Sequence, residues 1–104
     1  MEMFKVHVKV SNPLKSELFF EEDFWVDTGS LYTFAPEDKL EKIGISPLLS
    51  REVTLADGLR DRRLLGSALL TTTEPAETLP SLVMFGPKNS LYMLGAMALE
   101  GFGV

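Results

Sequence analysis

The sequence contains no cysteine and a single histidine among its 104 residues. Without cysteine the chain can form no disulfide, no thiolate nucleophile and no cysteine-ligated zinc site. A Ser/His/Asp triad or a multi-histidine metal site would have to be built around His7, which stands in an alternating stretch and is interpreted as a residue on one face of a strand. We therefore expect neither a metal site nor a cofactor.

Long apolar runs and clustered positive charge are also missing. No segment reaches the roughly 18 consecutive apolar residues of a membrane-spanning helix, and the N-terminal residues do not resemble a secretory signal. The net charge is −5, and the only dense basic group, Arg60, Arg62 and Arg63, is interrupted by Asp61. We expect a cytoplasmic protein that binds neither membranes nor nucleic acid.

The composition is that of one small globular domain spanning residues 1–104. Hydrophobic residues make up 45% of the chain and charged residues 24%, which lies outside the range of disordered sequences. A chain of this size can bury one core.

The residue patterns predict a mostly β fold. Residues 4–10 alternate apolar and polar, and residues 18–26 are rich in apolar and aromatic side chains, so the two segments are expected to pair as a hairpin. A short strand is predicted at 31–34, a second hairpin at 51–55 and 59–73, and another short strand at 82–85.

Two short helices are predicted. Pro36 is tolerated in a first helical turn and Gly44 is suited to a left-handed C-terminal position, so a helix is expected over 36–43 with Leu40 and Ile43 facing the core. Strong helix formers predict a second helix over 94–100. Strands and helices do not alternate as they do in parallel sheets.

Asp27 is the residue that points to chemistry. It follows the apolar residues 24–26 and opens the motif Asp27-Thr28-Gly29-Ser30. Because aspartate is disfavoured in strands and costly to bury unpaired, a neighbouring hydroxyl and an accessible glycine backbone are the groups expected to hold it at the base of a cleft. The tripeptide Asp-Thr-Gly alone is weak evidence for a catalytic site. The segments around it strengthen that evidence.

Three segments resemble the retroviral-type (retropepsin-like) aspartic protease family over nearly the whole chain. They are Val26-Asp27-Thr28-Gly29-Ser30 for the active-site loop, Leu55-Ala56-Asp57-Gly58 for the flap, and Met93-Leu94-Gly95-Ala96-Met97-Ala98-Leu99-Glu100 for the closing segment. The resemblance implies a closed β-barrel of the retropepsin type, with one short helix after the active-site strand and a C-terminal helix.

The resemblance also implies an aspartic endopeptidase that acts as a homodimer, because each chain carries one Asp-Thr-Gly. Two copies of Asp27 are expected to meet on a twofold axis and to activate a water that hydrolyses a peptide or unfolded protein substrate. Thr28 is expected to brace the two loops across the interface and Gly29 to admit the substrate backbone, with Ser30 as the small residue that completes the loop.

Substrate contacts are implied at the tip of the second hairpin and near the C-terminus. The implied residues are Ala56, Asp57, Gly58 and Leu59 in the flap, and Leu91 and Met93 in the side-chain pockets. The structural alternatives are an ordinary surface turn for the first group and a plain core role for the second. Asp57 could also be a partner of Asp27 within one chain, but it lies at a turn tip without a rigid frame.

Two other functional interpretations remain open. Tyr32 and Ala96 stand where retroviral members carry an ion pair that stiffens the dimer, which leaves room for a protease-fold module that serves in binding or assembly without proteolysis. The remaining interpretation is an unrelated small β protein with an accidental Asp-Thr-Gly. It requires Asp27 to be solvent-exposed on an ordinary turn.

Overall fold

The alternating residues near the N-terminus form the first strand of a hairpin, as predicted. In this computed structural model, which describes residues 4–54, 57–74 and 76–103, β1 (Lys5–Ser11) pairs antiparallel with β2 (Phe19–Val26). Val8 and Val10 are fully buried beneath the hairpin. Phe4 belongs to the same alternating pattern, but it precedes the strand and its side chain is largely exposed.

The outer face of this hairpin carries cross-strand ion pairs. His7 lies opposite Asp23. Its Nδ1 is 2.9 Å from Asp23 Oδ1, and its Nε2 is 3.1 Å from Glu21 Oε1. Hydrogen bonds to Asp23 and then to Glu21 favour the protonated ring and raise the pKa of His7 above its ordinary value. The lone histidine thus lies on the exposed face of a strand, as its pattern predicted.

A short strand and a short helix follow the Asp27 loop. β3 (Thr33–Pro36) begins two residues later than predicted, and α1 (Glu37–Lys42) follows it directly. Gly44 has φ +79° just after the helix, which is the left-handed conformation that the sequence predicted. Leu40 and Ile43 are buried as expected.

The second hairpin is long and leads into a third strand. β4 (Leu49–Thr54) pairs antiparallel with β5 (Arg60–Thr73), and β5 pairs antiparallel with β6 (Ala76–Gly86). β6 is much longer than the predicted strand at 82–85. It extends to Ala76 because cross-strand pairing with β5 continues as far as the Thr73 and Ala76 pair.

The C-terminal segment supplies a strand as well as a helix. β7 (Met93–Leu94) lies between the two strands that flank Asp27, parallel to β2 and antiparallel to β3. α2 (Ala96–Gly101) follows it. The helix predicted over 94–100 is therefore confirmed, but Leu94 belongs to the inserted strand.

Hydrogen-bonded pairings link six strands into a ring. The order is β1, β2, β7, β3, β6 and β5, with β5 pairing back to β1, and β4 adds to β5 outside this ring. The enclosed core contains apolar side chains from all parts of the chain, including Val8, Val10, Phe24, Ala35, Leu40, Leu70, Val83, Leu94 and Ala98. The prediction of a mostly β fold with two short helices is confirmed. No helix in the described ranges is long and apolar enough to cross a membrane.

Candidate active site

Asp27 stands at the end of β2, where two backbone contacts and one side-chain contact fix it. Its N–H donates to the Leu94 carbonyl at 3.0 Å, and its carbonyl accepts from the Ser30 N–H at 3.2 Å. Its Oδ1 accepts a hydrogen bond from the Gly29 N–H at 2.9 Å. The residue is half-buried. The carboxylate therefore has a defined position with one oxygen bound to the backbone of its own loop.

Gly29 fits closely against this carboxylate. A Cβ atom at residue 29 would lie 3.3 Å from Asp27 Oδ1, which is tighter than most contacts made by real side chains. The glycine therefore lets its own N–H approach the carboxylate and leaves the other side of the loop open.

The loop that follows Asp27 is held by the start of α2. The Ala96 N–H donates to the Ser30 carbonyl at 2.7 Å, and the Met97 N–H donates to the Leu31 carbonyl at 3.1 Å. The Gly95 N–H donates to Thr33 Oγ1 at 3.0 Å. We call these three hydrogen bonds the loop clasp. They also satisfy N–H groups at a helix start that has no side-chain cap of its own.

The clasp depends on a close approach of two backbones. A methyl group at Gly95 would overlap the backbone carbonyl of Tyr32 and would lie 2.8 Å from the Leu31 oxygen. Only glycine allows the chain to pass at this distance. Gly95 is thus a point at which the C-terminal segment passes close to the Asp27 loop.

Asp27 opens into a cavity of about 770 Å³. One wall is the β4–β5 hairpin, and the other walls come from the Asp27 loop, β3, β6 and β7. The lining residues are Asp27, Gly29, Ser30, Leu31, Tyr32, Phe34, Val53, Thr54, Arg63, Met84, Gly86, Pro87 and Met93. Most of these side chains are apolar. Among the described lining residues, Asp27 is the only carboxylate and Arg63 the only cation.

Some of the residues singled out by the sequence line the cavity and others do not. Asp27, Gly29, Ser30 and Met93 line it. Thr28 is exposed, and its side chain makes no hydrogen bond with any residue in the described ranges. Leu91 is 59% exposed and does not line the cavity.

The tip of the second hairpin is exposed and is shaped by its own turn chemistry. Asp57 Oδ1 accepts a hydrogen bond from the Leu59 N–H at 3.0 Å, and Gly58 has φ +85°. Asp57, Gly58 and Leu59 do not line the cavity in this conformation. Ala56 lies outside the described residues. The Asp57 carboxylate therefore stabilises its own turn, and it does not line the cavity with Asp27.

Several lining residues were not identified from the sequence, Arg63 foremost. It lies two residues before the buried Leu65, so the period-two pattern of β5 puts both on one face. The two-residue spacing from Leu65 could have indicated that Arg63 faces inward. The alternation was hard to recognise because charged residues occupy four consecutive positions, 60–63.

No family model matches this sequence. A comparison with curated proteins likewise gives no match. Among the described residues no group of three or more acidic, histidine or cysteine side chains is placed to hold a metal ion.

Proposed function

We propose that this chain is a retropepsin-type aspartic endopeptidase that is active as a homodimer and hydrolyses peptide bonds through a water activated by two Asp27 carboxylates. The observation that carries the proposal is the position of Asp27. Its carboxylate is half-buried, is held by the Gly29 N–H, and opens into a mostly apolar cavity of about 770 Å³. The interpretation as an unrelated β protein with an accidental Asp-Thr-Gly requires a solvent-exposed Asp27, and the half-buried position does not favour it.

The need for a second copy follows from the acid groups available. Among the described residues that line the cavity, Asp27 is the only carboxylate, so one chain supplies half of an aspartic dyad. A twofold contact between two Asp27 loops brings the same residue from each copy to the axis. Such a contact would also cover Thr28, which is exposed. The Thr28 hydroxyl makes no hydrogen bond with any described residue.

The dyad would work by general acid and base catalysis. Two carboxylates about 3 Å apart cannot both ionise, so they share one proton, behaviour for which aspartic proteases are the standard example. The ionised Asp27 takes a proton from the water, and the protonated Asp27 donates a hydrogen bond to the scissile carbonyl. The water oxygen then attacks the carbonyl carbon, and the proton taken from the water passes to the leaving amine as the C–N bond breaks, which leaves the dyad with one proton again. No covalent intermediate with the protein forms.

The architecture supports a retropepsin-type barrel as the fold. A short helix follows the strands that flank the Asp27 loop, and a second helix ends the described chain, which agrees with the two helices that the resemblance implies. The β4–β5 hairpin already forms one wall of the cavity through Val53 and Thr54. Its tip at 57–59 would close over a bound peptide and exclude water.

Replacing Asp27 by asparagine tests this function. Asparagine has the same shape and can still accept the Gly29 hydrogen bond, so the Asp27→Asn variant is expected to keep the circular dichroism spectrum and lose cleavage of unfolded casein. Asp38→Asn, an exposed position on α1, is the matched control and should cleave normally. Cleavage by the Asp27→Asn variant at the wild-type rate would contradict the proposal.

The alternative is a protease-fold module that binds or assembles without proteolysis. It predicts that the wild-type chain cleaves no unfolded protein across the pH range. A stable monomer in sedimentation experiments at micromolar protein would favour it, because one chain supplies only half of the aspartic dyad. An active wild type that loses activity in Asp27→Asn excludes this alternative.

A further inference from the structure

One cationic side chain, that of Arg63, lines the otherwise mostly apolar cavity. It extends from β5, directly opposite Arg51 in the register with β4. Only 27% of its side chain is exposed. A partly buried arginine beside an apolar surface gains more from an anionic partner than a fully exposed arginine does.

The protein itself satisfies only a part of this guanidinium. Arg63 Nη2 lies 3.1 Å from Asp61 Oδ2, and this is its sole ion pair with the described residues. Asp61 is 46% exposed and does not line the cavity. Arginine carries several N–H donors in a planar fork, so one contact leaves donors that can bind a second carboxylate.

The neighbouring arginines differ from Arg63 in exposure and in position. Arg60 pairs with Glu52 at 3.2 Å, and its side chain is 74% exposed. Arg62 donates to Ser50 Oγ at 3.0 Å and is also exposed. Neither lines the cavity. Of the three arginines in this part of β5, only Arg63 is presented to a ligand that lies beside Asp27.

We propose that Arg63 is a specificity residue that selects peptides carrying a glutamate or aspartate side chain next to apolar residues. This inference rests on the proposed proteolytic function, because it assumes that the cavity beside Asp27 is the peptide-binding cleft. The acidic side chain lies against the β4–β5 hairpin and accepts hydrogen bonds from those N–H groups of Arg63 that no described residue binds. The apolar lining, with Phe34 and Met84, accommodates the neighbouring side chains.

Paired peptide libraries test this selectivity. The two libraries contain uncharged residues and differ only in one fixed position, which is Glu in one and its neutral isostere Gln in the other. The wild type is expected to cleave the Glu library with a kcat/KM about tenfold higher, which is the size expected of one partly buried charge-assisted contact. Arg63→Gln should remove this preference, and Arg63→Lys should restore part of it.

Arg62→Gln is the matched control, because it removes the same charge from the same strand outside the cavity. It is expected to keep the preference for glutamate. Equal cleavage of both libraries by the wild type would overturn the inference while leaving the proteolytic function intact. Equal loss of preference in Arg62→Gln and Arg63→Gln would also overturn it, because a general effect of net charge would then explain the result.

A binding measurement separates this inference from the proposed function. Both libraries are passed over immobilised Asp27→Asn protein, and the retained peptides are quantified by mass spectrometry. Retention of Glu over Gln peptides that disappears in the Asp27→Asn, Arg63→Gln double variant supports the role of Arg63, whether or not the wild type cleaves. If wild-type protein cleaves nothing, the proposed function fails. Absence of selective retention overturns the role of Arg63.

Discussion

The side chain of Thr33 accepts a hydrogen bond at Oγ1 from the backbone N–H of Gly95, 3.0 Å away and 62 residues later in the sequence. Thr33 is 1% exposed, so water cannot readily replace this partner. Together with the bonds from Ala96 to Ser30 and from Met97 to Leu31, it ties the Asp27 loop to the start of α2. The position of the candidate catalytic residue therefore depends on the C-terminal segment.

Replacing Thr33 by valine should destabilise the protein. Valine has nearly the same shape but no acceptor, so the Gly95 N–H would be left unsatisfied in a buried position. The expected loss in the free energy of unfolding is about 1–3 kcal/mol. Thr33→Ser retains the hydroxyl and should lose less. Urea denaturation of both variants measures the difference, and equal stability of the two would contradict the role given to this hydrogen bond.

Replacing Gly95 by alanine should have a comparable or larger effect, because the new methyl group would overlap the Tyr32 carbonyl. Overpacking of this kind costs about 1–3 kcal/mol, and cleavage should fall with it as the Asp27 loop shifts. Gly101→Ala is the control. There a Cβ would meet the mobile end of the Leu79 side chain at 3.0 Å, and alanine favours the helix. Thermal unfolding that gives equal shifts for both variants would refute the close approach at Gly95.

Local patterns predicted the elements that have a clear period or a clear end. The alternation around Val8 and Val10 was enough for β1, and Pro36 with Gly44 was enough for α1. β7 was missed because two residues cannot display a period. Its residue Leu94 was assigned to the following helix on propensity, but pairing with Val26 makes it a strand residue.

The sequence indicated where the candidate site lies, but it did not predict the contacts that hold its residues in place. The motif at Asp27 indicated the carboxylate and the loop glycine. The contacts that hold them come from Thr33 and Gly95, which only the folded chain brings together. Arg63 was hidden for a related reason: in a run of charged residues the sequence does not show which side chain faces inward.

The stability of the first hairpin should depend on pH through His7. Its pKa in the folded state is raised by Asp23 and Glu21, so its contribution is complete below the pKa of the unfolded chain and disappears as pH rises through the folded value. The difference in the free energy of unfolding between wild type and His7→Gln should be larger at about pH 5.5 than at about pH 9. Asp23→Asn should reduce this pH dependence. A difference that grows with pH would contradict the assignment.

Thr28 should matter for association and little for the stability of one chain. It is exposed, and its side chain makes no hydrogen bond within the described part of the chain. If two Asp27 loops meet, Thr28→Ala weakens the dimer by about 0.5–1.5 kcal/mol for each hydrogen bond lost. Sedimentation velocity across a concentration series measures this. Thr73→Ala, an exposed threonine at the far end of β5, should leave the dimer unchanged, and equal effects of the two variants would exclude Thr28 from the interface.

In the proposed enzyme each active site contains two Asp27 residues from different chains, and a mixing experiment shows whether both are needed. Wild-type protein at fixed concentration is equilibrated with an equal amount of Asp27→Asn protein, and cleavage of unfolded casein is measured. Random pairing places about half of the wild-type chains in mixed dimers with one carboxylate, so activity should fall to about half. Adding the same amount of an unrelated protein should change nothing. Undiminished activity in the Asp27→Asn mixture would show that one chain suffices and would rule out a dyad shared between two chains.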